Sequence, residues 1–217
     1  MKFHDRIHAA NLLAERLSSS IAKNIINKAD IIVLGIPRGG VIIADVVARK
    51  LSTDFDIIIG RKLTAPENKE LAIGAVMEDC TTYLNYYLVD ALRISQEYIE
   101  KEKSHQKEEI TRRRGIYRKT RDYRIEGRVV ILVDDGIATG ATTIVAARWI
   151  RKQKPTKLII AVPVAPPQTV KALKQEADII EVIANPSDFN AVGEFYENFN
   201  PVTDDQVMKV MQNRSLL

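Results

Sequence analysis

Apolar side chains in this chain keep two different rhythms. From Asp5 to Ile26 they fall at Ile7, Ala10, Leu13, Leu17 and Ile21, intervals of three and four that put them on one face of a helix, with Asp5 placed as its N-cap. Five other runs are short and nearly continuous: Ile31 to Ile36, Phe55 to Lys62, Val129 to Val133, Leu158 to Val162 and Ile179 to Ile183. Unbroken runs of this length, rich in β-branched residues, predict strands buried on both faces. Helical spacing returns between them over Val41 to Leu51, Thr142 to Gln153 and Pro167 to Glu176. This alternation predicts an α/β fold with a mainly parallel five-stranded sheet and helices on both faces.

Two stretches break the alternation. Thr64 to Glu70 is polar, contains Pro66 and predicts a loop, after which Ala72 to Met77 and Thr82 to Tyr86 form a candidate hairpin. Residues 90–118 have helical spacing but few apolar positions, which predicts a long charged helix that mostly faces water or projects from the body.

Length and composition narrow the class. With 217 residues, 46% of them apolar, the chain can bury one substantial core, and a second full domain is not expected. The apolar runs are strand-sized, far short of the roughly 18 residues of a membrane span. The opening Met-Lys-Phe-His-Asp-Arg leads straight into the amphipathic pattern, so no export signal is expected. Cys80 is the single cysteine, so neither an intrachain disulfide nor a cysteine zinc site is expected. The cytoplasm is the expected compartment. His4 and His8 stand i, i+4 on the first helix but have no third ligand beside them, and read as surface residues. The formal net charge of +4 is unevenly spread, because residues 101–128 hold 11 Lys and Arg against 5 Asp and Glu. Such a stretch can meet phosphate, an acidic partner or nucleic acid, or serve as a solvated helix face.

The chemistry concentrates in Val129 to Thr143, which reads Val-Val-Ile-Leu-Val-Asp-Asp-Gly-Ile-Ala-Thr-Gly-Ala-Thr-Thr. A buried strand ends in the adjacent carboxylates Asp134 and Asp135, and the chain turns through Gly136 and Gly140 into a helix. In an open parallel sheet, ligands sit beyond the carboxyl ends of the strands. Backbone N–H groups of the loop, the helix N-terminus and the hydroxyls of Thr139 and Thr142 would cradle a phosphate there. The two carboxylates would repel that phosphate, and suit a sugar diol or Mg²⁺ instead. A second glycine turn, Gly35-Ile-Pro-Arg-Gly-Gly40, follows the first strand and adds the charge of Arg38. Neither turn carries the Gly-Lys-Ser/Thr of a nucleotide-hydrolysing loop or the Gly-x-Gly-x-x-Gly of a dinucleotide site.

The segment from Val129 to Thr143 resembles the signature with which type I phosphoribosyltransferases bind 5-phosphoribosyl 1-diphosphate (PRPP). The Pro37-Arg-Gly-Gly turn resembles that family's pyrophosphate loop. The resemblance covers nearly the whole chain and extends to a bacterial and archaeal group of mostly unassigned substrate. Its matching stretches are Phe3-x-Asp-Arg, Arg61-Lys with Ala65-Pro and Ala72-Ile-Gly-Ala, Arg112-Arg-Arg, Val162-Pro-Val-Ala, Ala191-Val-Gly, Phe199 and Thr203-Asp-Asp.

This resemblance implies a single phosphoribosyltransferase domain over 1–217, with a core at about 28–183, a small C-terminal hood at about 184–203 and the charged helical insertion at about 90–118. It implies transfer of the phosphoribosyl group to a nitrogenous small-molecule acceptor with release of pyrophosphate. Arg38, with Arg61 and Lys62 beside a mobile loop, would neutralise the pyrophosphate, helped by Pro37, Gly39 and Gly40. Asp134 and Asp135 would hold the ribose and Mg²⁺. Gly136, Ile137, Ala138, Thr139, Gly140, Ala141 and Thr142 would anchor the 5′-phosphate. Phe189 or Tyr196 of the hood would stack on a flat acceptor. Members acting on 6-oxopurines place an Asp at the position of Ala138, and Ala138 cannot transfer a proton, so a 6-oxopurine acceptor is disfavoured.

Two further readings accompany this one. The basic 101–128 segment could make the chain a non-catalytic PRPP-binding regulator that contacts nucleic acid, although its interspersed Glu residues and lack of aromatic interleaving speak against a single-strand binder. The charged helix could instead be an oligomerisation arm with Tyr98, Ile110 and Tyr117 as its contacts, and a homodimer is the default expectation.

Overall fold

The computed structural model describes residues 1–24, 26–118 and 123–214. Position 25, within the helix predicted over Asp5 to Ile26, and part of the basic segment, 119–122, fall outside the described residues. In chain order the elements are α1 (Arg6–Lys23), β1 (Ile31–Gly35), α2 (Gly39–Leu51), β2 (Asp54–Ile57), β3 (Gly60–Ala65), β4 (Asn68–Met77), β5 (Thr82–Leu84), α3 (Tyr86–Ala91) and α4 (Gln96–Tyr117). They continue with β6 (Val129–Val133), α5 (Ala141–Lys152), β7 (Lys157–Val164), α6 (Pro167–Leu173), β8 (Ile179–Ala184) and α7 (Asp204–Arg214). Asp5 caps α1 by accepting from the His8 N–H at 2.8 Å.

The main sheet has five strands in the order β2-β1-β6-β7-β8, and all its pairings are parallel. Every residue of β1 and β6 is buried, as a strand covered on both faces requires. Alternate residues serve the two faces. Ile32, Leu34, Val130 and Leu132 pack with Ile144 and Val145 of α5 and Leu173 of α6. Ile31, Val33, Val129 and Ile131 pack with Leu13 and Leu17 of α1 and Ile43 and Val47 of α2. The predicted α/β class, parallel five-stranded sheet and two helical layers are what the chain forms.

Beside it stands a three-stranded antiparallel sheet, β3-β4-β5, with its own apolar cluster. Phe55 to Lys62 is not one strand. The Ile58 N–H closes the parallel ladder on the Gly35 carbonyl at 3.0 Å, and at Gly60 the chain enters the second sheet as β3. The buried run Ile57 to Ile59 spans the change, and a local apolar pattern does not say which partner strand each residue will meet. Thr64 to Glu70 is not a loop throughout: β3 runs to Ala65, a turn falls at Pro66 and Glu67, and β4 begins at Asn68. Polar residues there reflect an exposed ribbon tip. The expected pairing of Ala72 to Met77 with Thr82 to Tyr86 is present as β4 and β5.

The charged segment is also redrawn. It is two helices, α3 and α4, separated at Leu92 to Ser95, where Arg93 has φ 51° and Ser95 caps α4 by accepting from the Tyr98 N–H at 3.2 Å. The helix α4 lies along β3 and β4 and does not project. Its buried residues Ile99, Gln106, Ile110 and Tyr117 form one seam at intervals of seven, four and seven. Ile110 and Tyr117, expected as contacts to a second chain, are 1% and 3% exposed within this one. Helix α7, which the sequence reading did not anticipate, adds Val207 to the same cluster.

Candidate active site

In the main sheet, β1 continues through α2 to β2 on one side, and β6 continues through α5 to β7 on the other. The chain therefore leaves these neighbouring strands in opposite directions, which opens a crevice at their carboxyl ends, the ordinary ligand position of open α/β sheets. The register puts Gly35 opposite Val133, so both loops start level. A cleft of about 680 Å³ lies there. It is lined by Pro37, Arg38 and Gly39 from the first loop, Asp134 to Thr143 from the second, Arg61, Lys62, Thr64 and Lys69 from the β3–β4 ribbon, Gln106 from α4, and Val192 and Phe199 from the C-terminal segment.

The two loops touch. A Cβ on Gly39 would overlap the Asp135 carboxylate, so only glycine lets the first loop pass. The second loop is pinned from below: the Ile137 N–H donates to the Val164 carbonyl at 2.9 Å, and the Thr169 hydroxyl donates to the Ala138 carbonyl at 2.6 Å. Gly140 is the N-cap of α5 at φ 82°, a left-handed conformation that glycine adopts readily. It supplies no capping side chain, so the free N–H groups of the first turn of α5 point out of the helix end at the cleft.

The adjacent carboxylates differ in their surroundings. Burial, reinforced by the neighbouring Asp135 charge, pushes Asp134 well above the usual carboxylate range, while its Oδ1 accepts from the Asp135 N–H at 2.8 Å. Asp135 has a cation of its own. The Arg6 Nε donates to its Oδ2 at 2.8 Å, and both side chains are largely buried, 11% and 15% exposed. Behind it, the Tyr196 hydroxyl donates to the Asp135 carbonyl at 2.6 Å, and burial drives the Tyr196 phenol far above its ordinary value.

The opposite wall is cationic. Arg61 donates through Nε to the Gln106 amide oxygen at 2.9 Å, and Gln106 donates to Glu102 at 3.0 Å. Glu102 in turn accepts from the Thr64 hydroxyl at 3.2 Å, and the Tyr98 hydroxyl donates to the Thr64 carbonyl at 3.0 Å. Tyr98, Glu102 and Gln106 stand four apart on α4, a polar ladder that holds β3 against the helix. Burial lowers the Arg61 pKa, with Arg113 and Arg38 adding repulsion, so cations crowd this wall even before a ligand arrives. Arg38 lies 3.7 Å from the Asp204 carboxylate at the start of α7. The Pro37–Arg38 peptide is cis.

Of the residues singled out in the sequence, Pro37, Arg38, Gly39, Arg61, Lys62 and 134–142 all border this cleft. Gly40, Phe189 and Tyr196 stand elsewhere. Gly40 lies behind the first loop against the Asp134 backbone. Phe189 does not reach the cleft: it stacks on Phe195 with ring centroids 5.1 Å apart, and Phe199 and Val192 occupy the rim instead. Tyr196, offered as an alternative ring, is 3% exposed beneath the loop. The sequence reading missed Arg6, Gln106, Lys69, Val192 and the cleft position of Phe199, because each arrives from a distant element. Gln106 had one local signal, an uncharged residue in the apolar register of a charged helix.

Among the described residues no group of three or more His, Cys, Asp or Glu is arranged to hold a metal. The two carboxylates of Asp134 and Asp135 nevertheless fit Mg²⁺, an ion that keeps most of its waters and joins one or two carboxylates to ligand phosphates. The carboxylates of Asp134 and Asp135, which both line the cleft, are the groups that would hold it.

A cleft at the switch point of a parallel sheet, with paired acids, a glycine loop at a helix N-terminus and an arginine wall, is an arrangement suited to a phosphorylated ligand. Residues 5–199 match the phosphoribosyl transferase domain family. Two Mycobacterium tuberculosis proteins, from strains CDC 1551 / Oshkosh and H37Rv and each named “Putative phosphoribosyl transferase”, are 37% identical over 207 residues, which is 95% of this chain and 45% of theirs. The chain thus spans about half the length of the curated relatives it matches. The crystal structure of TT1426 from Thermus thermophilus superposes with a TM-score of 0.79 at 39% identity, over 98% of this chain and 99% of that one. The chain belongs to the phosphoribosyl transferase domain family. Among the described residues no helix is long and apolar enough to cross a membrane.

Proposed function

We propose that the chain is a phosphoribosyltransferase that takes PRPP as donor, with Mg²⁺, and passes the phosphoribosyl group to a nitrogenous small-molecule acceptor while pyrophosphate leaves. The observation that carries this reading is the contact of the two loops at Gly39 and Asp135, which sets paired acids, a helix N-terminus and an arginine wall around one cleft.

In this reading the acceptor nitrogen attacks the anomeric carbon, the bond to pyrophosphate oxygen breaks, and the acceptor proton is released to solvent. Asp134 and Asp135 accept hydrogen bonds from the ribose hydroxyls. The 136–142 loop and the first turn of α5 hold the 5′-phosphate. Arg38, Arg61, Lys62 and Lys69 surround the pyrophosphate and favour the charge it gains on leaving. Bound Mg²⁺ supplies further neutralisation of that charge. Val192 and Phe199 at the rim limit water. Ala138 offers no proton-transfer group, which favours acceptors that need no loop base.

The nucleic-acid reading gains little from the geometry. Arg112 and Arg113 are held by Glu109, Arg114 by Glu78 and Lys103 by Glu100, so much of the basic helix is already neutralised. Detectable, steeply salt-dependent binding of a single-stranded oligonucleotide would restore that reading. A cytoplasmic homodimer is the setting this function carries, and mass measurement in solution tests the assembly.

The deciding experiment is calorimetric titration of PRPP with and without Mg²⁺. Saturable binding that depends on Mg²⁺ is expected, and would direct a screen of amine, adenine and pyrimidine acceptors for pyrophosphate release. Absence of binding overturns the proposal.

A further inference from the structure

Arg6 makes more kinds of contact than its place at the start of α1 requires. Its Nε donates to Asp135 at 2.8 Å, its Nη1 donates to the Asn200 carbonyl at 2.8 Å, and its guanidinium lies 3.9 Å from the centroid of the Phe199 ring. The three partners belong to different parts of the chain: the acidic loop, and two consecutive residues of the segment that rims the cleft. That segment is fastened to the N-terminus as well. The Phe3 N–H donates to the Phe195 carbonyl at 2.7 Å, and the Glu197 and Asn198 N–H groups donate back to the Phe3 and His4 carbonyls at 2.8 and 2.9 Å. Phe3 itself is fully buried with its ring 5.3 Å from that of Tyr196. The scaffold of the segment is therefore complete without Arg6, and the Arg6 contacts are aimed specifically at Asp135 and the rim.

We infer that Arg6 is a positioning residue that fixes the Asp135 carboxylate for the ribose hydroxyls and locks the rim segment to it. This rests on the proposed function. One carboxylate oxygen is occupied by the Arg6 Nε, which fixes the orientation of the carboxylate where Asp135 lines the cleft. A planar guanidinium can do this while also bonding Asn200 and lying against Phe199. An ammonium group cannot make the fork and the stack together.

The test separates geometry from charge by using two fragments of the donor, ribose 5-phosphate and inorganic pyrophosphate, titrated with Mg²⁺ into wild type and Arg6→Lys. The substitution keeps the charge and loses the fork. Ribose 5-phosphate is expected to bind about tenfold more weakly, the scale of one charge-assisted hydrogen bond, with pyrophosphate affinity unchanged. Asp135→Asn should weaken ribose 5-phosphate similarly, and Arg6→Lys added to it should cost nothing more, because Arg6 acts through Asp135. Phe199→Leu, which leaves both charges in place, serves if Arg6→Lys does not fold, and should show the same selective loss to a smaller degree. Unchanged ribose 5-phosphate binding, or equal losses for both fragments, overturns the inference and leaves the proposed function standing. Wild-type protein that binds neither fragment removes the proposed function and this inference with it.

Discussion

The Tyr117 hydroxyl donates to the Asp204 carboxylate at 2.6 Å, joining the end of α4 to the first residue of α7. Arg38 and Arg112 each lie 3.7 Å from the same carboxylate. A charged helix that reads as a separate arm is thus wired, through one phenol, to the arginine of the glycine loop. Tyr117→Phe should fold, lose about 1 to 2 kcal/mol of stability for the missing hydrogen bond to a charged partner, and be measurable by urea denaturation.

The same phenol makes stability depend on alkaline pH. Burial pushes Tyr117 up to about 12 from its ordinary value of 10.0, and burial does the same to Tyr123. A folded-state value above the unfolded one gives stability that is complete below pH 10 and lost as pH rises toward 12. Denaturation midpoints should therefore fall between pH 10 and 12, and less steeply in Tyr117→Phe. A midpoint flat across that window would contradict the buried placement of both rings.

At Gly39 the prediction concerns binding more than folding. Gly39→Ala puts a methyl group where the Asp135 carboxylate lies, so that side chain must turn away or the loops must part. The expected result is a native circular dichroism spectrum with PRPP affinity reduced at least about tenfold, a loss of about 1.4 kcal/mol or more. Undiminished affinity would show that the contact between the loops is not needed.

Asp134→Asn should separate stability from function. Burial and the Asp135 charge disfavour ionised Asp134, so an amide in its place relieves repulsion while keeping an oxygen for the Asp135 N–H. The melting temperature should hold or rise as Mg²⁺-dependent PRPP binding is lost, the usual exchange between stability and a charged site. A clear fall in melting temperature would mean that the carboxylate is structurally needed.

Helix α4 can be tested as part of the folded body. Ile110 is 1% exposed, and Ile110→Ala should cost about 2 to 4 kcal/mol. Ile7, 54% exposed on α1, should tolerate the same change within about 0.5 kcal/mol. If Ile110→Ala lowered the molecular mass and spared stability, the helix would be an oligomer contact after all.

By itself the sequence determined the layered α/β fold and pointed to the loop that borders the cleft. Both are local matters: β-branched runs between amphipathic helices admit few arrangements, and a strand ending in Asp134-Asp135-Gly136 with Thr139, Gly140 and Thr142 carries its site within one loop. Tertiary structure alone decided what joins that loop. Whether Phe55 to Lys62 stays in one sheet depends on the partner strands, which the run does not encode. Phe199 and not Phe189 reaches the rim because chain closure through Phe3 sets the path of the C-terminal segment. Arg6 meets Asp135 across 129 positions of sequence, and Gln106 meets Arg61 across 45. Periodicity reports which side of an element is buried, and says nothing of which distant side chain will be found there, because that depends on how the packed layers bring remote segments together.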